Sequence, residues 1–272
     1  MSQVWLIGRP VAHSLSPAMH NAAFAKLGLP HRYEVREFAD AQLSHTLDRL
    51  RRADVLGANV TIPHKEAALR LVDEASEEAR RVGAVNTIVV RGGRLIGENT
   101  DRIGFHRGLE SAGILEITDA EVLVLGAGGA ARACVVELAR RNTVVVANRS
   151  VERAQRLVES LPAEKPGTVR AVGWEEAQRI TAVDALVNAT PLGMHGEDVL
   201  DGFALDPLPG TIADLVPVAD ETPLVRRARG AQHVRVMDGL LMLLHQAARS
   251  FELWTGTAAP LEVMRAALPR RV

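Results

Sequence analysis

Cysteine is almost absent from this chain of 272 residues. The single one, Cys134, excludes an internal disulfide framework and a cysteine-rich metal site. Aromatic residues are scarce as well, with five Phe, three Trp and one Tyr. That leaves little for the stacking platforms of single-strand nucleic-acid binders. Neither sign of charge dominates: 32 basic against 33 acidic side chains leave a formal charge of -1. Broad electrostatic binding of nucleic acid or anionic membrane is therefore excluded, although a local cationic spot is not. Long apolar runs are missing too. The opening MSQVWLIGRP has neither the charged start nor the apolar region of a signal peptide. The most apolar stretch, Gly239 to Trp254, carries His245, Gln246, Arg249 and Glu252, which excludes a membrane span. The 9 histidines show no HExxH-like spacing, so no metal site is assigned. A reducing cytoplasm is the expected compartment.

What is present is ample apolar material, 47% of the residues, enough for one large or two modest domains. In the first third, Val4–Gly8 reads as a buried strand and Pro17–Leu27 as a helix closed by Gly28. Val55–Thr61 reads as a second strand, followed by a helix from His64 to Val72. Val85–Val90 and Arg94–Gly97, joined across Gly92-Gly93, read as a hairpin or a pair of short strands. Further on the pattern becomes regular. Apolar runs at 122–125, 143–147, 169–172, 185–188, 211–215 and 234–236 alternate in part with helical patterns at 130–140, 151–159 and 223–229. This spacing implies βαβ units and a parallel sheet covered on both faces. The segment 197–209 has no clear period and reads as loop. A long helix, Asp238 to Trp254, precedes Gly256 as its stop.

The segment EVLVLGAGGAARA places Gly126, Gly128 and Ala131 in a G-x-G-x-x-A arrangement between a strand and a helix. The first glycine allows the tight turn and the second lets backbone amides approach a pyrophosphate. Ala131 permits close helix–strand packing, and the helix N-terminus favours the anion. Gly126, Ala127, Gly128, Gly129 and Ala130 are thus candidate dinucleotide contacts. Cys134, one turn into the helix, reads as core. The next strand ends in Asn148-Arg149-Ser150, with Arg153 one turn on, where NAD folds generally carry an acid for the ribose 2′-hydroxyl. A carboxylate there would repel a 2′-phosphate, whereas a guanidinium pairs with it, so the expected cofactor is NADP.

A second set of polar residues lies in the first third. Ser14-Leu15-Ser16-Pro17 opens a helix; Pro17 suits its first position, making Ser16 the natural N-cap. Two hydroxyls at a positive helix end can also hold a carboxylate. In Asn59-Val60-Thr61-Ile62-Pro63-His64-Lys65, strand alternation sends Asn59 and Thr61 to one face. Pro63 then starts a helix with Lys65 in its first turn. A cation there opposes the macrodipole and needs a reason; a proton-transfer amine is one. Asn86-Thr87 and Asn99-Thr100-Asp101 complete the set. Asp101 reads either as the N-cap of a helix from Arg102 to Ser111 or as an ion-pair partner that orients the lysine.

Together these segments resemble the shikimate dehydrogenase family. The resemblance rests on S-L-S-P at 14–17, N-V-T-I-P-H-K at 59–65, G-A-V-N-T at 83–87 and N-T-D at 99–101. It continues through G-A-G-G-A at 126–130, N-R-S at 148–150, N-A-T-P-L-G-M at 188–194 and D-G-L-L-M-L-L-H-Q-A at 238–247. It implies an α/β protein with an N-terminal α/β substrate domain and a Rossmann-like, doubly wound parallel-sheet NADP domain. Its boundaries would be 1–103 with 238–272, the C-terminal helices returning to the first domain, and 104–237. The implied activity is reversible reduction of 3-dehydroshikimate to shikimate with NADPH, in aromatic amino-acid biosynthesis, by a monomer or homodimer. Lys65 and Asp101 would be the catalytic pair. Ser14 and Ser16 would hold the carboxylate, while Asn59, Thr61, Asn86, Asp101 and Gln246 would read ring hydroxyls. Asn148, Arg149, Ser150 and Arg153 would meet the 2′-phosphate end, with Met194 and Gly239 near the nicotinamide.

Two departures stand out. Family members commonly have tyrosine, on the substrate carboxylate side, where this chain has Pro217. Glu98 and Arg102 replace what are usually an aspartate and a smaller residue, and Arg102 either perturbs the catalytic pair or reaches solvent. The rival readings are a quinate/shikimate or aminoshikimate-type dehydrogenase and a non-catalytic NADPH-binding sensor. Quinate enzymes often prefer NAD, which Asn148-Arg149-Ser150 opposes, and a sensor would not need both Lys65 and Asp101. Methylenetetrahydrofolate dehydrogenase shares the two-domain plan, but its Y-x-x-x-K motif is missing because Thr61 stands where the tyrosine belongs.

Overall fold

A computed structural model describes residues 2–37, 42–161 and 169–269. The described residues fall into two compact units, 2–104 with 243–269, and 105–242. The first unit begins with β1 (Ser2–Gly8), α1 (Ser16–Lys26), β2 (His31–Glu37), α2 (Leu43–Leu50), β3 (Val55–Val60) and α3 (Lys65–Leu69). It continues with β4 (Glu74–Ala75), α4 (Glu77–Val82), β5 (Thr87–Arg91) and β6 (Arg94–Glu98). The strands form one sheet in the order β2-β1-β3-β5-β6-β4. β1 runs parallel to β2 and β3, whereas β5 is antiparallel to both β3 and β6. Of the two arrangements open for 85–97, the hairpin is the one present, turned by Gly92 and Gly93 at φ 58° and 77°.

Trp5 and Ile7 of β1 pack with Leu47 and Leu50 of α2 and with Ile88 and Leu95 of the hairpin. A second cluster holds much of the chain's small aromatic stock. Tyr33, Phe251 and Trp254 gather around the ring of His20, and Phe24 packs on Phe251. The Trp254 indole N–H donates to the Ile88 carbonyl at 2.9 Å, tying the helix that carries it to the sheet.

The chain then runs through α5 (Asp101–Ser111), β7 (Glu121–Leu125), α6 (Gly129–Leu138), β8 (Thr143–Asn148), α7 (Val151–Glu159), β9 (Val169–Gly173) and α8 (Trp174–Gln178). Next come β10 (Ala185–Asn188), β11 (Thr211–Asp214), α9 (Pro223–Gly230), β12 (Arg235–Met237), α10 (Gly239–Thr255) and α11 (Leu261–Ala266). The division between units falls within α5 and again within α10. The second sheet is parallel throughout, in the order β12-β11-β10-β7-β8-β9. Counted within the unit, this is the 3-2-1-4-5-6 order of doubly wound dinucleotide-binding sheets. Its central strands are buried on both faces, as the unbroken runs of Val and Leu require.

The structure departs from the sequence reading in several places. The helix expected from His64 to Val72 is only Lys65–Leu69. Beyond it the chain is drawn to the sheet edge, where the Asp73 amide donates to the Leu95 carbonyl at 3.0 Å and the Leu95 amide to the Asp73 carboxylate at 2.7 Å. Helix α1 starts at Ser16, so Leu15 rather than Ser16 is its N-cap residue. The elements β2, β4, α2, α4, α8 and α11 have no counterpart in that reading. Among the described residues, no helix is long and apolar enough to cross a membrane.

Candidate active site

In the first unit the polar residues converge at the ends of β3, β5 and β6 and the start of α5. Lys65, the first residue of α3, donates from Nζ to Asp101 Oδ2 at 2.5 Å. The lysine side chain is 13% exposed and the aspartate 4%, so the pair is largely withdrawn from water. An exposed ion pair contributes little, but a withdrawn one holds its geometry only if its remaining polar groups are bonded. They are. Asp101 Oδ1 accepts from Asn86 Nδ2 at 2.9 Å, and the Val85 amide donates to the Lys65 carbonyl at 2.9 Å.

Asp101 is not the N-cap of α5. Asn99 does that work: its Oδ1 accepts from the amides of Asp101 at 3.0 Å and Arg102 at 3.4 Å. Its Nδ2 donates to the Ala84 carbonyl at 2.9 Å. The carboxylate of Asp101 is thereby free to turn toward the lysine. Arg102 turns the other way and makes a two-pronged pair with the Glu78 carboxylate.

Asn86 is the hub of the set. Its Oδ1 accepts from the Thr100 amide at 2.7 Å, and its Nδ2 reaches Thr100 Oγ1, Asp101 Oδ1 and, at 3.4 Å, Gln246 Oε1. Gln246 comes this close because α5 carries Gly104 where α10 crosses it. A Cβ there would lie 2.6 Å from the Gln246 Cβ. The glutamine is half-buried, and its Nε2 donates back to the Leu243 carbonyl.

Asn59, expected to read ring hydroxyls, is 5% exposed and committed inward. Its Oδ1 accepts from the Tyr33 hydroxyl at 2.8 Å, and its Nδ2 donates to the Asn86 carbonyl, Thr87 Oγ1 and Ser250 Oγ. Ser250 Oγ lies in turn 2.8 Å from Thr87 Oγ1 and 3.1 Å from Thr100 Oγ1. Burial pushes the Tyr33 phenol far above its ordinary pKa, with the Ser16 hydroxyl pulling weakly the other way, so it stays a neutral donor. Thr61 is half-buried, as is Ser14, whose Oγ accepts from the Ser16 amide at 3.3 Å. Tyr33 and Ser250 have no place in the sequence reading, and Asn99 enters it as part of the polar set but not as a cap. The N-T-D run offered a signal for Asn99, since an Asx side chain two residues before a helix amide is a capping pattern. Nothing local pointed to Tyr33 or Ser250.

The second unit carries the glycine turn. Gly126 has φ 110°, and a Cβ on it would sit 2.8 Å from the Ala189 carbonyl oxygen, so only glycine fits. Gly128 is the N-cap residue of α6 and nothing lies within 4 Å of its would-be Cβ. That side of the turn is therefore open for close backbone approach, as a pyrophosphate requires. Ala127 is buried, Gly129 and Ala130 are half-buried, and Ala131 is packed in the core beneath. At the end of β8, Asn148 Nδ2 donates to the Ser150 carbonyl at 2.9 Å and Ser150 Oγ caps α7. Arg149 and Arg153 are exposed, and neither forms an ion pair among the described residues. Two uncommitted guanidiniums at this strand end fit a dinucleotide with a phosphorylated 2′ position. Asn188 accepts from Thr190 and donates to the Leu192 carbonyl, which shapes the loop bearing the exposed Met194. Gly239 packs against the Val216 carbonyl, 2.4 Å from its would-be Cβ. Among the described residues no group of His, Cys, Asp and Glu is placed to hold a metal ion.

Three family models match the chain: the shikimate dehydrogenase substrate binding domain at residues 6–88, shikimate/quinate 5-dehydrogenase at 110–192, and the shikimate 5′-dehydrogenase C-terminal domain at 239–268. The curated shikimate dehydrogenase (NADP(+)) of Symbiobacterium thermophilum is 44% identical over 272 residues, covering 96% of this chain and 92% of that protein. This chain belongs to the shikimate dehydrogenase family. The solved shikimate 5-dehydrogenase of Thermus thermophilus, in complex with NADP(H) and shikimate, is 40% identical with a TM-score of 0.83, covering 98% of each chain. A quinate dehydrogenase from Corynebacterium glutamicum in complex with NAD is also similar, 33% identical with a TM-score of 0.84 and 98% of each chain covered. The matched spans contain Lys65, Asn86 and Gln246 as well as the glycine turn and the end of β8, while Asp101 lies between two of them.

Proposed function

We propose that the protein is an NADP-dependent shikimate dehydrogenase that reversibly reduces 3-dehydroshikimate to shikimate. The observation that carries this reading is the Lys65–Asp101 pair, withdrawn from water and held by Asn86, in a chain of this family. NADPH supplies the hydride when bound. The protein must then orient a polar ring and move one proton. Lys65 Nζ delivers that proton to the oxygen that gains charge in reduction and takes it back in the reverse direction. Asp101 keeps the ammonium aimed, and Asn86 keeps Asp101 aimed.

Thr61, Asn86, Asp101 and Gln246 read the ring hydroxyls, and Ser14 and Ser16 hold the carboxylate. Asn59 acts from behind, by bracing Asn86 and Thr87 rather than by touching substrate. In the second unit Gly126 to Ala130 cradle the pyrophosphate. Asn148, Arg149, Ser150 and Arg153 meet the 2′-phosphate, and Met194 and Gly239 serve the nicotinamide end. The substrate-side residues belong to 1–103 with 238–272 and the cofactor-side residues to 104–237, except Gly239, which lies just past that boundary. Both partners are small molecules, and the cytoplasm is the compartment in which they are available.

The test is a panel of shikimate and quinate, each with NADP and NAD, followed at the reduced-nicotinamide absorbance. Shikimate with NADP should dominate. Dominance of quinate with NAD would overturn the reading and point to Pro217 as the substrate-side difference. Absence of turnover with all four pairs would favour a binding protein instead.

A further inference from the structure

We propose that Glu152 is a specificity-determining residue for the cofactor, occupying the Ser150 hydroxyl and setting a negative charge where the 2′-phosphate of NADP is received. The inference rests on the NADP reading above and concerns how strongly that cofactor is preferred.

The argument starts from the single proton of a serine hydroxyl. Ser150 Oγ accepts from the Arg153 amide at 3.4 Å as the cap of α7 and donates to Glu152 Oε2 at 2.7 Å. Its one donor is therefore spent on a neighbouring carboxylate. An incoming phosphate meets only lone pairs on that oxygen until Glu152 withdraws. The two cations of the cradle, Arg149 and Arg153, carry no carboxylate of their own, so Glu152 is the anion built into this corner. The Ser150 hydroxyl holds the Glu152 carboxyl below its usual range, with its own backbone amide and Arg156 adding to the effect. The carboxylate is thus charged wherever the enzyme would work.

Its effect on the two dinucleotides is opposite in sign. A 2′-phosphate is repelled by the carboxylate and denied the hydroxyl, whereas a ribose 2′-hydroxyl can donate to a carboxylate at this strand end. Repulsion between one carboxylate and a doubly charged phosphate that lies within a Debye length of it, in water at physiological salt, amounts to roughly threefold in affinity. Release of the hydroxyl donor raises the expected effect toward about tenfold.

The experiment is calorimetric titration of the full chain with 2′,5′-ADP and with 5′-AMP, for wild type, Glu152→Gln, Ser150→Ala and the double variant. Glu152→Gln keeps the size of the side chain and removes its charge. It should bind 2′,5′-ADP about three- to tenfold tighter and 5′-AMP no tighter. The ratio of kcat/KM for NADP over NAD should rise by the same factor. The gain should shrink in the Ser150→Ala background, because the carboxylate acts partly through that hydroxyl. Unchanged or weaker binding of 2′,5′-ADP by Glu152→Gln, in an enzyme whose wild type prefers it to 5′-AMP, would overturn the proposal alone. A wild type that binds 2′,5′-ADP no better than 5′-AMP would overturn the NADP reading and the proposal with it.

Discussion

Replacing His20 with leucine should remove a large part of the acid sensitivity of this protein. His20 lies on α1, is 0% exposed, and stacks on Tyr33 with ring centroids 4.5 Å apart and planes 11° from parallel. Neither ring nitrogen has a hydrogen-bond partner among the described residues. Burial pushes its pKa down from 6.5 to about 3. The folded state therefore keeps the ring neutral, while the unfolded chain takes up a proton below pH 6.5. Stability contributed by the neutral ring is full above that value and is lost as pH falls toward about 3. Each unit of pH in that window costs about 1.4 kcal/mol, so a move from pH 8 to pH 5 should cost about 2 kcal/mol from this residue. At pH 8 the leucine variant relieves two unpaired polar atoms but forfeits the ring stack. These effects are each on the order of 1 kcal/mol and opposed, so its stability there should be close to wild type. Urea unfolding at pH 8 and pH 5 measures the difference, and the proton resonance of the His20 ring should not titrate between them. An identical loss in both proteins, or a ring that titrates near 6.5, would refute the argument.

Three further outcomes are expected. Lys65→Ala should lose about 10²- to 10⁴-fold in kcat with a much smaller change in substrate binding, read by steady-state kinetics; near wild-type turnover would remove the lysine from the chemistry. Asn99→Ala removes the cap of α5 and leaves the Ala84 carbonyl unpaired, so urea unfolding should report a loss of about 1–3 kcal/mol. Its kcat should fall more than its KM rises, because Asp101 loses its backbone anchor. Arg149→Ala should weaken NADPH about 10- to 100-fold while sparing NADH, and equal losses for both would contradict the phosphate contact.

Much of the architecture was legible in the chain because its signals are local. The parallel strands of the second unit are unbroken runs of Val and Leu, and helix α7 starts after a serine cap and follows the helical period to Glu159. The glycine turn was readable because a backbone at φ 110° against a carbonyl admits no other residue. In the first unit the reading was weaker. Short elements such as α3 and β4 are set by hydrogen bonds to distant residues, as where Asp73 and Leu95 end α3, and no periodicity of their own announces them.

The sequence by itself determined which side chains are available and that they fall in the order of one family, because motif spacing follows from strand, turn and helix geometry. It placed Lys65, Asn86, Asp101 and Gln246 on a list. Only the tertiary structure decided their relations. Whether Asp101 capped a helix or held a lysine turned on Asn99, whose side chain takes the helix amides and leaves the carboxylate to turn inward. Whether Asn59 faced outward or inward turned on Tyr33 and Ser250, brought to it from other elements. A polar side chain has few bonds to give, and which partners receive them is a matter of three-dimensional neighbours rather than of position along the chain.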